Sequence, residues 1–253
     1  MKKQNLRIPK IVRIILITFF ALIFLIVAAF LIYTSDYSHS KAAAKKALES
    51  NRVIINKLDN CITFGDSNSD VGFIFYPGGK VEYTAYAPIL EQIAFGNVFC
   101  VLPEMPFNLA VFNADAALDI MKEYTQIKHW YIGGHSLGGA MAANFAAENN
   151  DKFEGVILLA SYPTKDLSSG NLHVLSILGR KDQVLNLDKY NKYRLLMPTE
   201  FIETIIDGAN HAQFGDYGLQ KGDGAATITA EEQWKITTDE ILKFINKYEL
   251  STP

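Results

Sequence analysis

Three residue types in this chain suit nucleophilic catalysis: a serine in a sharp turn, a histidine and a carboxylate. The serine is Ser136, in Gly134-His135-Ser136-Leu137-Gly138, a G-x-S-x-G stretch. Before it, Trp130-Tyr131-Ile132 is aromatic and β-branched, the composition of a short buried strand. After it comes an alanine-rich stretch with Met141 and Phe145 four apart, the spacing of one helix face. A serine between a strand and a helix sits on a strained turn that pushes its hydroxyl clear of the sheet. Glycines two residues either side avoid a collision there. A hydroxyl presented in this way suits attack on a carbonyl carbon.

Such a hydroxyl is a poor nucleophile until a base takes its proton. The chain has five histidines. His39 falls in a polar stretch, His129 and His173 begin strands, and the turn itself sets the direction of His135. Only His211 follows a strand, in Asp207-Gly208-Ala209-Asn210-His211, which makes it the candidate base. The base in turn needs a carboxylate to fix its tautomer and stabilise the imidazolium. Asp182, just past the strand that ends near Leu178, is the preferred partner. Asp166 is its main rival, with Asp188 and Asp207 behind. An oxyanion forming on the substrate needs N–H donors. One is expected from Leu137 and the other from Pro77-Gly78-Gly79-Lys80, with Gly79 preferred and Lys80 the alternative.

The elements that must position these residues alternate in type. Strands are expected at Val53–Ile55, Cys61–Phe64, Gly72–Tyr76, Asn97–Leu102, Trp130–Ile132, Gly155–Ala160, His173–Leu178 and Phe201–Ile206. Helices are expected at Tyr83–Phe95, Asn108–Tyr124, after Ser136 and at Asp188–Leu196. Thr229 with Glu232 reads as a capping box opening a last helix. Alternation of this kind implies a mostly parallel sheet with helices on both faces and ligands at the carboxyl ends of its strands. Ser161 to Leu172 is too short for a lid domain. An open cleft follows, roofed at most by the loops Glu104–Asn108 and Gln213–Ile228.

At 253 residues the chain fits one globular domain plus an appendage. Ile14 to Tyr33 carries no charge, and these 20 residues make roughly 30 Å of helix, enough to cross a bilayer core. Lys2, Lys3, Arg7, Lys10 and Arg13 precede it, which predicts a cytoplasmic N-terminus and an exported C-terminal domain. An uncleaved anchor in the cell membrane is favoured over a signal peptide, whose nearest small-residue site, Ala42–Ala44, lies well downstream. The expected order is a basic N-terminus at 1–13, a transmembrane helix at 14–33, a stalk at 34–52 and a catalytic domain at 53–250. The formal net charge is −3, and setting aside those five cations leaves −8 for the rest. A domain that acidic offers no electrostatic footprint for nucleic acid. Cys61 and Cys100 are too few for a disulfide framework and read as buried free thiols. With no C-x-x-C and no H-E-x-x-H, neither a metal nor a cofactor is expected.

Tyr76-Pro77-Gly78-Gly79-Lys80, Gly133 to Gly139 and Asn210 to Gly215 resemble the α/β-hydrolase superfamily. More closely, they are similar to its α/β hydrolase fold-5 branch, akin to dienelactone hydrolases. Asn108 to Phe112 and Gly222-Asp223-Gly224 resemble that branch too, and the likeness covers about the last 200 residues. It implies an α/β-hydrolase fold without a large cap and a Ser136–Asp182–His211 triad in that chain order. The chain departs from the usual superfamily pattern at Pro77, where a histidine often precedes the oxyanion glycine. The expected function is a membrane-anchored serine hydrolase acting on a carboxylic ester, small or lipid-like. Lactonase, peptidase or acyltransferase chemistry on the same triad remains open, as does a binding protein that keeps the fold without the chemistry.

Overall fold

Apolar runs bounded by glycine, proline and asparagine become strands wherever they are too short for helices. The computed structural model describes residues 9–249 and divides into two units, Met1–Tyr37 and Ser38–Pro253. Lys2, Lys3 and Arg7 of the expected basic N-terminus lie outside the described residues, as does Leu250 at the expected end of the domain.

The first unit is helix α1 (Lys10–Ser35), with a mean hydropathy of 3.2 over its most apolar window and no part of that window buried. Its 26 residues make about 39 Å of helix, long enough to cross a bilayer. The Thr18 hydroxyl donates to the carbonyls of Ile14 (3.1 Å) and Ile15 (2.9 Å). The helix thereby satisfies this polar side chain from its own backbone.

The second unit is built on one eight-stranded sheet. In chain order it runs α2 (Ala42–Ala47), β1 (Ile55–Lys57), β2 (Cys61–Phe64), β3 (Val71–Tyr76), α3 (Ala87–Phe95), β4 (Phe99–Pro103), α4 (Ala116–Glu123) and β5 (His129–His135). It continues through α5 (Leu137–Glu148), β6 (Gly155–Leu159), β7 (His173–Gly179), α6 (Leu187–Tyr193), β8 (Ile202–Ile206) and α7 (Ala230–Glu249). The strand order is β1-β2-β4-β3-β5-β6-β7-β8. Strands β1, β2 and β4 pair antiparallel, and every other pairing is parallel. β3 lies between β4 and β5, so the order reverses there and the loops leaving β3 and β5 diverge around a crevice.

Side chains alternate across the sheet and fill a core on each face. Phe73, Phe75 and Tyr131 pack with Ile89, Leu90 and Ile93 of α3 and Ile241 and Phe244 of α7. On the other face Ile74, Ile132 and Leu158 pack with Ala117 and Ile120 of α4 and Ala142, Ala143 and Ala146 of α5. Cys100 belongs to the first cluster and Cys61 to the second. Both thiols are free, and burial pushes Cys61 up to about 11 and Cys100 well above the ordinary thiol value.

Four local expectations change. The strand expected at Val53–Ile55 is displaced to Ile55–Lys57. The helix expected at Asn108–Tyr124 is α only over Ala116–Glu123, because Phe107 and Asn108 adopt φ of 57° and 55° and two 3₁₀ turns precede it. Tyr83–Tyr86 is likewise a 3₁₀ turn leading into α3, whose first turn holds Pro88 where a missing N–H is tolerated. The expected stalk at 34–52 is folded onto the domain from Ser38 onward. Ser38 N–H donates to the Lys80 carbonyl (2.8 Å), the Asp216 carboxylate accepts the Ala44 N–H (2.8 Å), and Ala44 is fully buried. Small side chains at Ala44 and Ala47 let this segment pack closely, which a charge-rich composition disguises. The capping box at Thr229 and Glu232 forms, with Thr229 N–H donating to Glu232 (2.8 Å) and Glu232 N–H to the Thr229 hydroxyl (3.2 Å).

Candidate active site

Ser136 stands between β5 and α5 with φ 51° and ψ −121°, the strained turn that the flanking glycines make possible. A Cβ on Gly134 would lie 2.3 Å from the Tyr76 carbonyl oxygen, and one on Gly138 would lie 2.2 Å from that of Pro77. Both glycines are therefore needed for the end of β3 to pass so close to the turn. The turn is braced from β6, where the Leu159 carbonyl accepts the Ser136 N–H (2.9 Å). Just beyond, the Ser161 hydroxyl donates to the Ser136 carbonyl (2.7 Å).

His211 follows β8 and Asp182 follows β7, and adjacent parallel strands deliver them to the same end of the sheet. His211 Nδ1 lies 2.8 Å from Asp182 Oδ2, with both side chains almost wholly buried. The other carboxylate oxygen, Oδ1, accepts the N–H groups of Val184 and Leu185, each at 2.8 Å. Asp182 is thus held by its own loop with one oxygen turned toward the ring. His211 Nε2 is buried without a hydrogen-bond partner among the described residues.

The rivals for Asp182 lie elsewhere. Asp166 accepts from the Ser168 N–H (2.8 Å) and hydroxyl (2.6 Å) within its own loop, Asp207 pairs with Arg180, and Asp188 sits in the first turn of α6. The other histidines lie apart from Ser136 or serve different contacts. His39 is 3.4 Å from Glu82, His129 is 2.9 Å from Glu154, and His173 stacks on Tyr248.

The donors of the β3 loop can be told apart by their partners. Gly78 N–H donates to the Tyr86 hydroxyl (3.0 Å) and Lys80 N–H to the Asn108 carbonyl (2.8 Å). Among the described residues no acceptor faces the Gly79 N–H. A Cβ on Gly79 would lie 2.7 Å from a Leu137 methyl, so the two residues are neighbours across the crevice. Leu137 opens α5, and the first N–H groups of a helix have no acceptor within it.

Ser136 and His211 line one cleft of about 320 Å³, walled by Leu137, Met141, Tyr162, Val184 and Leu185. Its flanks are the segments just after β6 and β7, not the Glu104–Asn108 and Gln213–Ile228 loops expected as its roof. Only a short loop links β6 to β7, with no helix inserted.

Tyr86 and His135 are site residues that the sequence reading missed. The Tyr86 hydroxyl lies 2.8 Å from His135 Nδ1, and the His135 ring packs against His211 with centroids 4.4 Å apart. Burial first, then the neighbouring His211, push His135 well below the usual histidine value. A neutral imidazole therefore joins the β3 loop to the His211 turn. The only signal in sequence was the position of His135 inside the turn; nothing pointed to Tyr86.

A model of the alpha/beta hydrolase family matches residues 72–235. No curated relative matches the chain by sequence. Solved structures share the fold at low identity. A monoacylglycerol lipase from Paleococcus ferrophilus superposes with a TM-score of 0.57 at 11% identity, covering 76% of this chain and 99% of its own. A 2-hydroxy-6-oxo-6-phenylhexa-2,4-dienoate hydrolase from Rhodococcus gives 0.58 at 14%, covering 77% and 99%. A predicted CIB-like hydrolase from Thermoplasma acidophilum gives 0.55 at 15%, covering 76% and 97%. These matches establish the architecture; the different substrates in their names leave that of this chain open.

The buried neutral state of His135 has a consequence for stability. Below pH 6.5, its ordinary value, an unfolded His135 takes up a proton that the folded one refuses. The unfolded chain then binds more protons, and stability falls as pH falls through this range. Denaturant unfolding between pH 7 and pH 5 should show His135→Asn losing stability less steeply than wild type, by up to about 1.4 kcal/mol per pH unit. Equal slopes would mean that His135 titrates normally in the fold.

Proposed function

Because the chain belongs to the alpha/beta hydrolase family, we propose that it is a serine hydrolase acting on carboxylic esters by acyl transfer. Ser136 is the nucleophile, His211 the general base and acid, and Asp182 the carboxylate that orients His211. Leu137 and Gly79 supply the oxyanion donors. The observation that carries this reading is the His211–Asp182 contact of 2.8 Å beside a cleft shared by His211 and Ser136.

The chemistry follows from these positions. With Nδ1–H facing Asp182, the Nε2 lone pair is left to take the Ser136 proton as Oγ attacks the ester carbonyl carbon. The carbonyl oxygen becomes an oxyanion against the N–H groups of Leu137 and Gly79, donors already oriented before the charge develops. The imidazolium gives its proton to the leaving alkoxide, and an acyl group stays on Ser136. Water then repeats the sequence, with His211 taking its proton, and releases the carboxylic acid. An alkoxide leaves more readily than an amine, which favours esters over peptides. The cleft walls carry no charged side chain, and an uncharged acyl group suits them.

Ester turnover tests the assignment. Ser136→Ala should lose about 10⁴-fold or more in kcat/KM. Asp182→Asn should be severely impaired while Asp166→Asn stays near wild type. The reverse order would move the acid to Asp166.

Helix α1 and the five cations that precede its apolar run support a single-pass anchor, with the N-terminus cytoplasmic and the hydrolase domain outside. The full-length chain should stay in membranes washed with alkaline carbonate. Release of a shortened chain into the medium would identify a cleaved signal sequence instead.

A further inference from the structure

Gly222-Asp223-Gly224 lies between α6 and α7 and lines no part of the cleft, yet it touches the residues on both sides of both histidine and carboxylate. Asp223 Oδ2 accepts the N–H of Ala212, next after His211, at 2.8 Å. Oδ1 accepts the N–H of Gln183, next after Asp182, at 3.2 Å, and the Gly224 N–H at 2.8 Å. Gly224 completes the bridge on the preceding residues. Its carbonyl accepts from Asn210 Nδ2 (2.8 Å), and a Cβ there would lie 2.0 Å from the Lys181 carbonyl oxygen. From these contacts, and resting on the Ser136–His211–Asp182 reading above, we propose that Asp223 is a positioning residue. Its one carboxylate holds the loop of Asp182 and the turn of His211 at a fixed separation.

The need for such a clamp follows from the topology. The ladder between β7 and β8 ends at Gly179 and Ile206, three residues before Asp182 and five before His211. Beyond those residues the two loops have no strand pairing to hold their spacing. The Lys181 N–H bond to the Ala209 carbonyl (2.8 Å) and the Arg180–Asp207 pair tie the loops ahead of the two side chains, whereas Asp223 ties them just past Asp182 and His211. Backbone N–H groups bonded to an ionised carboxylate are held more firmly than by a neutral acceptor. Gln233 fixes the same turn from α7, donating to the Asn210 carbonyl (2.9 Å) and accepting the Asn210 N–H (3.2 Å). That bond reaches only the His211 side, whereas Asp223 reaches both.

The test uses the full-length chain in detergent micelles, with Asp223→Asn and Asp223→Ala compared on a nitrophenyl ester and in their rate of reaction with a fluorophosphonate. Displacement of a reacting group by about 1 Å costs on the order of 10²-fold. Asp223→Ala should therefore lose about 10- to 100-fold in kcat and in phosphonylation rate, with KM within about twofold. Asp223→Asn should fall between Ala and wild type, because one amide oxygen still accepts. That variant carries the test if the Ala protein does not fold. Activity within about twofold of wild type in a folded Asp223→Ala protein would overturn the proposal. So would a loss in either variant that vanishes when the assay is run well below its melting temperature, since that marks a role in stability alone. Undiminished turnover by Ser136→Ala would instead strike the underlying triad reading.

Discussion

The site depends on how closely the end of β3 passes over the start of α5. Tyr76 pairs with Gly134 at the carboxyl ends of β3 and β5, and the Tyr76 and Pro77 carbonyls then crowd the turn that presents Ser136. Any side chain at Gly134 or Gly138 would force the two segments apart. The same approach brings Gly79 against Leu137, so one packing constraint sets the serine's strained backbone and the spacing of the two N–H groups beside it. The strand order makes this possible, because β3 and β5 are neighbours in the sheet while β4, which lies between them in sequence, pairs on the outer side of β3.

A second layer of hydrogen bonds surrounds the histidine and the carboxylate without entering the cleft. Tyr86 holds the β3 loop through Gly78 and meets His135, whose neutral ring lies against His211. A neutral neighbour matters here, because an imidazolium on His211 in the proposed mechanism would be opposed by a second cation at this distance. Asn210 and Gln233 tie the His211 turn to α7, and residues 183–185 close the Asp182 loop on its own carboxylate and on Asp223. Each group is oriented by backbone contacts from several elements, so the arrangement does not rest on any single loop.

Sequence patterns revealed the elements whose signals are local. The strand–turn–helix around Ser136 was legible because glycine, an aromatic strand and an alanine-rich helix follow one another within about twenty residues. The positions of His211 and Asp182 past the ends of their strands were legible, His211 by elimination among the histidines and Asp182 as the preferred of several carboxylates. Long-range contacts were less visible. Sequence preferred Gly79 to Lys80 but did not show that the Lys80 N–H is taken by a distant carbonyl at Asn108. Tyr86 sat in an ordinary apolar stretch, and the Ser38–Ser50 segment read as a stalk because its lysines hid the buried face of Ala44 and Ala47. The helix expected from Asn108 shortened because two successive residues take positive φ, a choice that side-chain periodicity does not report.

The central claim is that Ser136 is the nucleophile, and covalent labelling reads it most directly. Wild-type protein treated with a fluorophosphonate, digested and analysed by peptide mass spectrometry should carry a single adduct, on the Ser136 hydroxyl. An adduct on another residue, such as Ser161 behind the turn, or no adduct on a chain that hydrolyses esters, would contradict the account.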